Sequence, residues 1–188
     1  MIEALLVSTG VVALAEIGDK TQLLALVLAA RFRAPVPIIW GILVATLLNH
    51  AAAGALGAWL AHTVTPQNMR WILAVSFIGM ALWMLIPDKL DQGPRTETRF
   101  GVFGTTLIAF FLLEIGDKTQ IATVALAAKY ASLTVVVIGT TLGMLIANVP
   151  AVLLGEVAAR RLNMKLVHAI AAVMFLALGL VVLWRAPL

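Results

Sequence analysis

Long apolar runs, separated by short polar or proline-bearing breaks, dominate the hydrophobic pattern of this chain. Crossing a hydrocarbon core of about 30 Å takes about 20 helical residues, and each run is near that length or longer. Transmembrane β-strands are about half as long and alternate apolar with polar residues, which these runs do not. The pattern therefore predicts an all-α polytopic membrane protein with six transmembrane helices, over 4–30, 36–61, 70–86, 102–128, 133–158 and 166–184.

Composition supports the membrane class and excludes several functions. The 188 residues are 62% hydrophobic and 12% charged, whereas a soluble domain is nearer half apolar and a quarter charged. The absence of cysteine excludes disulfides, thiolate metal sites and redox motifs. No metalloprotease, nucleophile-elbow or phosphate-loop motif occurs, so we do not expect an enzyme. The basic residues cluster at the ends of the apolar runs, which indicates contact with lipid and topology signals rather than nucleic-acid binding.

The heptad EIGDKTQ occurs twice, each time inside a long apolar run. We call residues 16–22 the first heptad and residues 114–120 the second heptad. A shift of 98 residues superimposes the two heptads and aligns the rest of both halves without a gap. The chain is therefore predicted to hold repeat 1 over 1–86, a linker over 87–100 and repeat 2 over 101–188.

Each predicted repeat has three transmembrane helices. An odd number means that the second repeat enters the membrane in the opposite orientation to the first. Two such halves form an inverted repeat, a recurring plan of secondary transporters, in which the substrate binds near mid-membrane between the repeats. We therefore expect the two heptads to meet at that position.

Basic residues predict the orientation in the membrane. The N-terminus lacks the positive region of a signal peptide, so it is interpreted as part of the first span. Eight basic residues fall on one face and three on the other, and the positive-inside rule assigns the first face to the cytoplasm. We expect a bacterial inner-membrane protein with both termini periplasmic and the 87–100 loop cytoplasmic. The eight are Arg31, Arg33, Lys89, Arg95, Arg99, Arg160, Arg161 and Lys165, and the three are Arg70, Lys129 and Arg185.

The charged residues of the heptads lie where a charge has a high free-energy cost of membrane insertion. Both heptads fall near the centre of their predicted spans, where one charge costs about 2.5–3.5 kcal/mol and each Leu, Ile or Val returns about 0.3–0.6 kcal/mol. The cost of three charges exceeds what the Leu, Ile and Val residues of the first span return, so the charges must face protein, water or an ion. In a continuous helix Glu16 and Asp19 would share one face, with Lys20 nearby. Gly18 and Gly116 would allow close helix packing or a local break.

Together the two heptads would supply four carboxylates and two ammonium groups, a formal charge of −2 that one divalent cation neutralises. We therefore predict a metal site formed by Glu16, Asp19, Glu114 and Asp117. A purely structural pair of salt bridges explains the two unbalanced aspartates poorly. Helix capping by the acids is disfavoured because the apolar pattern continues on both sides of each heptad.

Other polar residues within the spans are candidates to line or support this site. A lone intramembrane Asn more often joins helices than binds a ligand, and that alternative stays open for the Asn and His residues. His62 and His168 fall near span ends and are expected at the membrane interface. The candidate supporting residues are Lys20, Thr21, Gln22, Asn49, His50, Lys118, Thr119, Gln120 and Asn148.

With EIGDKT at 16–21 and again at 114–119, the chain resembles the family once called uncharacterised protein family 0016. That family includes bacterial manganese exporters of the MneA type and Golgi cation exchangers of the Gdt1 and TMEM165 type. The resemblance covers essentially the whole chain. It implies a secondary transporter that exchanges Mn²⁺ or Ca²⁺ for protons, with the acids of the motif in the ion site and no further cofactor.

The residues and the resemblance together favour an alternating-access Mn²⁺/H⁺ antiporter. Carboxylate, amide and hydroxyl oxygens make a hard site suited to Mn²⁺, Ca²⁺ or Mg²⁺. The preference for Mn²⁺ rests on the resemblance to the compact bacterial members. Three alternatives stay open: a Ca²⁺/H⁺ antiporter, a divalent-cation channel that uses the same acids as a filter, and a structural subunit whose charges pair with a partner.

Overall fold

A computed structural model of the chain describes residues 1–86, 100–154 and 164–184. Most of the predicted linker and six of the basic residues used for orientation lie outside these ranges. The described part folds into eight α-helices, which confirms the all-helical prediction. They are α1 Ile2–Glu16, α2 Lys20–Phe32, α3 Pro35–Thr63, α4 Pro66–Met84, α5 Gly101–Glu114, α6 Lys118–Tyr130, α7 Leu133–Leu154 and α8 Met164–Trp184.

Three of these helices are long and apolar enough to cross a membrane: Pro35–Thr63, Leu133–Leu154 and Lys165–Trp184. Large apolar side chains are exposed on the outer surface of the bundle, among them Trp59, Val75, Leu112 and Val173. An apolar surface of this kind is unfavourable in water and suits contact with lipid. The described helices are therefore those of a membrane protein.

The predicted spans 4–30 and 102–128 are not continuous helices. Each is interrupted inside its heptad, so that α1 ends at Glu16 and α2 begins at Lys20, while α5 ends at Glu114 and α6 begins at Lys118. Two half-helices therefore replace one predicted helix in each half of the chain. The prediction of a shared helical face for Glu16 and Asp19 is wrong for the same reason.

The helix order repeats with the 98-residue shift seen in the sequence. Residues 20–32 of α2 correspond to residues 118–130 of α6 without any offset. Both helices end at a residue in the left-handed conformation, Arg33 with φ 49° and Ala131 with φ 47°. A left-handed residue is a common way to end a helix and reverse the chain. The next helix therefore starts within a few residues in each half and packs against its own half and the other.

The first helix of each half packs on the long third helix of the other half, α1 on α7 and α5 on α3. Both contacts depend on a glycine. A Cβ atom at Gly139 would lie 2.9 Å from the Cβ atom of Ser8, and one at Gly41 would lie 2.7 Å from the Cβ atom of Thr106. Ser8 and Thr106 correspond under the 98-residue shift. Small residues of this kind let helix backbones approach closely in a membrane.

The fourth and last helices of the two halves, α4 and α8, pack against each other. Phe77 and Phe175 stack at this contact, with ring centroids 6.4 Å apart and ring planes 29° apart. The two phenylalanines also correspond under the 98-residue shift. The halves thus pack together through contacts between equivalent residues, and the acids of the two heptads are buried inside the bundle.

Candidate ion site

The first heptad forms a tight turn between α1 and α2. Ile17 has φ −65° and ψ 115°, Gly18 has φ 85°, and the N–H of Asp19 donates to the carbonyl oxygen of Glu16 at 3.0 Å. These values match a type II β-turn, whose third residue needs a positive φ and is therefore usually glycine. The sequence Glu-Ile-Gly-Asp thus ends one helix and starts the next.

The second heptad forms the same turn. Ile115 has φ −62° and ψ 120°, Gly116 has φ 77°, and the N–H of Asp117 donates to the carbonyl oxygen of Glu114 at 3.1 Å. A Cβ atom at Gly116 would meet nothing within 4 Å. The expected packing role is therefore wrong for Gly116, and both heptad glycines serve the positive φ of the turn. Other glycines, such as Gly41 and Gly139, allow the close packing of helices instead.

Capping, which the sequence disfavoured, is part of the site. Asp19 is the N-cap residue of α2, and its carboxylate accepts the N–H of Thr21 at 3.4 Å. Asp117 occupies the same position before α6. The capping prediction was wrong because the apolar sequence hides the break. Asp19 therefore combines a capping role with a buried acidic side chain, whereas the side chain of Asp117 is buried at the same position but makes no capping hydrogen bond.

The two glutamines hold the turns closed. The side-chain oxygen of Gln22 accepts the N–H of Gly18 at 2.9 Å, and that of Gln120 accepts the N–H of Gly116 at 2.7 Å. The amide nitrogen of Gln22 donates to the carbonyl oxygen of Ala147 on α7 at 2.9 Å. Both the oxygen and the nitrogen of the Gln22 amide therefore form hydrogen bonds with the backbone. This side chain stabilises the turn that carries the acids.

Three acids from both heptads come together inside the protein. Glu16, Asp19 and Asp117 each offer one carboxylate oxygen, and these oxygens all lie within 4.8 Å of one another. The three residues are at most 2% exposed. They come from the C-terminal end of α1 and the N-terminal ends of α2 and α6. Two broken helices thus bring three negative side chains to one buried point.

Glu114, the fourth predicted acid, lies beside this group. It is 1% exposed and near enough to Glu16 and Asp117 to interact with them electrostatically. Its carboxylate accepts a hydrogen bond from the hydroxyl of Thr119 at 2.7 Å. The Nε2 atom of His50 lies 3.4 Å from the same carboxylate oxygen. Glu114 is therefore held from two sides.

The two heptad threonines make equivalent hydrogen bonds to the two heptad glutamates. The hydroxyl of Thr21 donates to the carboxylate of Glu16 as that of Thr119 does to Glu114. Both threonines are buried. A hydroxyl that donates to a carboxylate fixes the orientation of that carboxylate and satisfies one of its oxygens. The expected supporting role of the threonines thus corresponds to contacts on the acids.

The contacts given for the two lysines differ from the Glu–Lys salt bridges of the disfavoured structural alternative. Lys20 extends to the other half of the chain, where its Nζ atom lies 2.8 Å from the Oδ1 atom of Asp117. The Nζ atom of Lys118 donates to the carbonyl oxygen of Ile86 at 3.4 Å and lies 5.9 Å from the ring centroid of Trp83. Equivalent lysines therefore have different surroundings.

One carboxylate oxygen of each heptad glutamate is buried without a hydrogen-bond partner among the described residues. These atoms are Glu16 Oε1 and Glu114 Oε2. Leaving a buried acceptor unsatisfied costs about 1–3 kcal/mol, and more for a charged group. Buried polar groups in native proteins are normally paired, and those that are not point to strain, function or an ion. These oxygens are suited to receive a hard cation.

The whole sequence matches one family of transporters. Residues 4–92 and 102–188 match the family described as divalent cation/proton antiporter GDT1. This chain belongs to that family. It is therefore a transporter and not an enzyme, and its substrates are a divalent cation and protons.

Named relatives agree with the family assignment. A protein of Vibrio cholerae named "Putative manganese exporter" is 52% identical over 96% of this chain and 90% of its own length. A GDT1-like protein of Synechocystis is 28% identical over 92% of this chain and 93% of its own length. GDT1-like protein 3 of Oryza sativa subsp. japonica is 26% identical over the full chain and 76% of its own length. No solved structure matches the chain.

The two asparagines of this antiporter differ in their contacts. The amide of Asn49 donates to the carbonyl oxygen of Phe111 at 3.1 Å and so joins α3 to α5. The amide of Asn148 donates to the carbonyl oxygen of Met144 one turn earlier in α7 at 3.1 Å, and its own oxygen has no partner in the described part. Asn49 thus acts as a contact between helices, while Asn148 keeps an acceptor available.

His168 is a residue that the sequence did not connect with the site. It was expected at the membrane interface, yet its Nε2 atom lies 3.2 Å from the carbonyl oxygen of Ile17 in the first turn. Ser8, Thr46 and Thr141 are also buried polar residues within the helices. In the sequence each of these residues is only a single polar residue in an apolar run. Such a pattern does not show which group the folded protein brings next to it.

Proposed function

We propose that this chain exports Mn²⁺ in exchange for protons, by alternating access to one site formed by Glu16, Asp19, Glu114 and Asp117. The observation that carries the proposal is the meeting of three buried carboxylate oxygens from both heptads within 4.8 Å. Intramembrane acids that face a bundle interior are typical of ion and proton pathways. Glu114 Oε2, which is buried without a hydrogen-bond partner among the described residues, is a further candidate ligand.

The chemistry of this set fits a hard divalent cation. Carboxylate and carbonyl oxygens suit Mg²⁺, Ca²⁺ and Mn²⁺, whereas softer metals prefer thiolates. Cysteine is absent from the chain. The preference for Mn²⁺ rests on the name of the Vibrio relative, which shares half of the sequence. A Ca²⁺/H⁺ antiporter would use the same residues, so ion competition must decide between the two ions.

Alternating access follows from an inverted repeat with six spans. In this proposal α1 with α2, and α5 with α6, each form one crossing that is broken at its heptad. The matching turns, the matching glycine contacts and the stacking of Phe77 on Phe175 support two equivalent halves. Broken helices that meet near the membrane centre are a recurrent design of secondary transporters.

Protons and the metal compete for the same carboxylates in this proposal. Metal ligands must be deprotonated, so metal binding releases protons and metal affinity falls as the pH falls. Exchange results if both the metal-loaded and the proton-loaded protein can switch between a state open to the cytoplasm and a state open to the periplasm. Protons that enter from outside would then drive Mn²⁺ out of the cell.

The proposed location is the bacterial inner membrane, with both termini periplasmic and the 87–100 loop cytoplasmic. The basis is that eight basic residues fall on the predicted face that holds the 87–100 loop and three fall on the opposite face. The positive-inside rule assigns the face with more basic residues to the cytoplasm. In that orientation the heptads lie between the two aqueous phases. An exporter would receive Mn²⁺ from the side of the loop.

Neutralising single acids tests the proposed site. Asp19→Asn and Asp117→Asn should each reduce Mn²⁺ flux in proteoliposomes at least about tenfold, because each removes a charged ligand but keeps the side-chain volume. Glu3→Gln is the matched control, since Glu3 is an exposed acid of α1 outside the site. Ca²⁺ and Mg²⁺ added as competitors identify the preferred ion. Normal Mn²⁺ flux in both aspartate variants would refute the shared site.

A further inference from the structure

His50 brings an imidazole ring to the edge of the candidate ion site. It lies in α3, it is fully buried, and its Nε2 atom lies 3.4 Å from Glu114 Oε1. It is also near enough to Asp117, one of the three clustered acids, to interact with it electrostatically. A nitrogen donor from the first half of the chain therefore lies beside acids of the second heptad.

Hydrogen bonds do not account for this buried ring. A hydrogen bond between a ring N–H and an oxygen usually spans about 2.7–3.2 Å, so the contact with Glu114 at 3.4 Å is long. The Nδ1 atom of His50 is buried without a hydrogen-bond partner among the described residues. Buried polar atoms that lack a partner are uncommon in native proteins, and an ion is one explanation for them.

The contact between His50 and Glu114 has a spacing suited to two ligands of one cation. In an octahedral site with bonds of about 2.1 Å, neighbouring ligand atoms lie about 3 Å apart. A neutral imidazole carries a lone pair on one of its two nitrogens, and the hydrogen bond of the other nitrogen normally decides which one. Within the described part Nδ1 makes no such bond. The Nε2 atom can therefore carry the lone pair and bind a cation together with the Glu114 carboxylate.

The imidazole is present in one half of the chain and not in the other. The 98-residue shift aligns His50 with Asn148, whereas it aligns every residue of the first heptad with an identical residue of the second. The heptads thus supply repeated oxygen ligands, and His50 supplies a single nitrogen. A substitution at His50 can therefore change the type of donor atom at the site while all four acids remain.

Nitrogen and oxygen donors distinguish between divalent cations. Ca²⁺ and Mg²⁺ take oxygen ligands, and imidazole suits transition metals. Mn²⁺ accepts carboxylates as Ca²⁺ and Mg²⁺ do, but as a first-row transition metal it also binds nitrogen. Carboxylates alone suit all three ions. One imidazole added to the carboxylates favours Mn²⁺ over the other two.

We propose that His50 makes the site prefer Mn²⁺ over Ca²⁺ and Mg²⁺, by binding the ion through a ring nitrogen together with Glu114. This role rests on the proposed function, because it requires the cation at the heptad carboxylates. The acids supply the negative charge, and His50 supplies the selectivity. Loss of the imidazole should therefore weaken Mn²⁺ binding alone, whereas loss of a ring that only joins α3 to α5 would affect all three ions equally.

Electron spin-echo envelope modulation of bound Mn²⁺ detects a coordinated nitrogen directly. The purified protein is loaded with Mn²⁺ alone. We expect the ¹⁴N modulation of a bound imidazole in the unsubstituted protein, and its loss in His50→Asn, which introduces the side chain found at the equivalent position. His62→Asn is the matched control, because His62 is an exposed histidine of the same helix, and it should keep the modulation. Bound Mn²⁺ without nitrogen modulation in the unsubstituted protein would overturn the proposal.

A second variant covers the case in which His50→Asn does not accumulate in the membrane. The chain has three histidines, so His62→Asn combined with His168→Asn leaves His50 as the last one. Nitrogen modulation that persists in this double variant supports His50 as the ligand. Mn²⁺ that binds to the double variant without nitrogen modulation refutes it.

Ion competition in proteoliposomes measures the selectivity. In His50→Asn the Mn²⁺ concentration for half-maximal flux should rise at least about tenfold, because loss of even a residue that supports a metal ligand usually lowers metal affinity about 10–100-fold. The inhibition constants of Ca²⁺ and Mg²⁺ should stay nearly unchanged, and equal weakening of all three ions would overturn the role in selectivity. Mn²⁺ flux of the unsubstituted protein without nitrogen modulation would refute the role of His50 and keep the proposed function. Nitrogen-bound Mn²⁺ without flux would keep the ligand and refute the proposed cargo.

Discussion

The threonine after each heptad lysine links the local turn to the acids. Thr21 and Thr119 lie in the first turn of α2 and α6, and each donates its hydroxyl to the glutamate that ends the preceding helix. The glutamate is thereby held in one orientation without the use of a further charge. At this scale, the heptad is a turn whose polar side chains all serve either the backbone or the carboxylates.

Removing these hydroxyls should weaken metal binding and leave the fold intact. Thr21→Val and Thr119→Val keep the shape of the side chain but lose the donor. We expect the Mn²⁺ concentration for half-maximal transport to rise about 10–100-fold, as is usual when a residue that supports a metal ligand is lost. Transport kinetics in proteoliposomes measure this. Thr21→Ser and Thr119→Ser, which keep the donor, should transport nearly normally, and a serine variant as weak as the valine variant would contradict the role.

The identities of the acids could be predicted from the sequence, but the partners of the lysines could not. Charges duplicated in two apolar runs are costly, and this alone singles out Glu16, Asp19, Glu114 and Asp117. Whether Lys20 meets Glu16 or Asp117 depends on how α2 lies against the other half. That arrangement is a result of tertiary packing, which spacing along one helix does not contain.

The broken helix is the main feature at the scale of the element. Apolar residues continue on both sides of Gly18 and Gly116, so hydrophobicity predicts one span where two half-helices exist. The signal for the break was turn chemistry, namely glycine followed by aspartate, within a pattern otherwise suited to a helix. The break gives the carboxylates their position, because it directs the residues after it away from the axis of the preceding helix.

The turn makes a specific prediction about glycine. Gly116→Ala should lower the free energy of unfolding by about 1–2 kcal/mol, because alanine disfavours the left-handed conformation although space for its Cβ atom is open. Gly79→Ala is the matched control. Gly79 lies within α4 and also has open space, and alanine there should stabilise the helix by about 0.5–1 kcal/mol. Unfolding in detergent mixtures measures both, and equal effects of the two substitutions would contradict the turn.

At the scale of the whole molecule, the repeat organises the fold. The sequence alone predicted two equivalent halves over 1–86 and 101–188, and the helix order, the two turns and the contact between Phe77 and Phe175 follow that register. What the sequence could not give is the difference between the halves. Two equivalent motifs are identical in sequence, so only the packed state distinguishes Lys20 from Lys118.

The proposed orientation is tested by reporters fused to the chain. A reporter that is active only in the cytoplasm should work when inserted in the 87–100 loop and fail at the C-terminus, because the basic residues favour the cytoplasm on the side of the loop. A reporter active only in the periplasm is the control and should give the opposite pattern. Cytoplasmic activity at the C-terminus would overturn the proposed orientation.

Measuring Mn²⁺ and proton movement together tests exchange at the shared carboxylate site most directly. Proteoliposomes that contain the protein and a pH-sensitive dye receive Mn²⁺ on one side while the membrane potential is clamped. We expect protons to move opposite to Mn²⁺, and we expect this proton movement to be lost in Asp19→Asn and to persist in Glu3→Gln. Mn²⁺ flux without proton countermovement would contradict exchange at a shared carboxylate site.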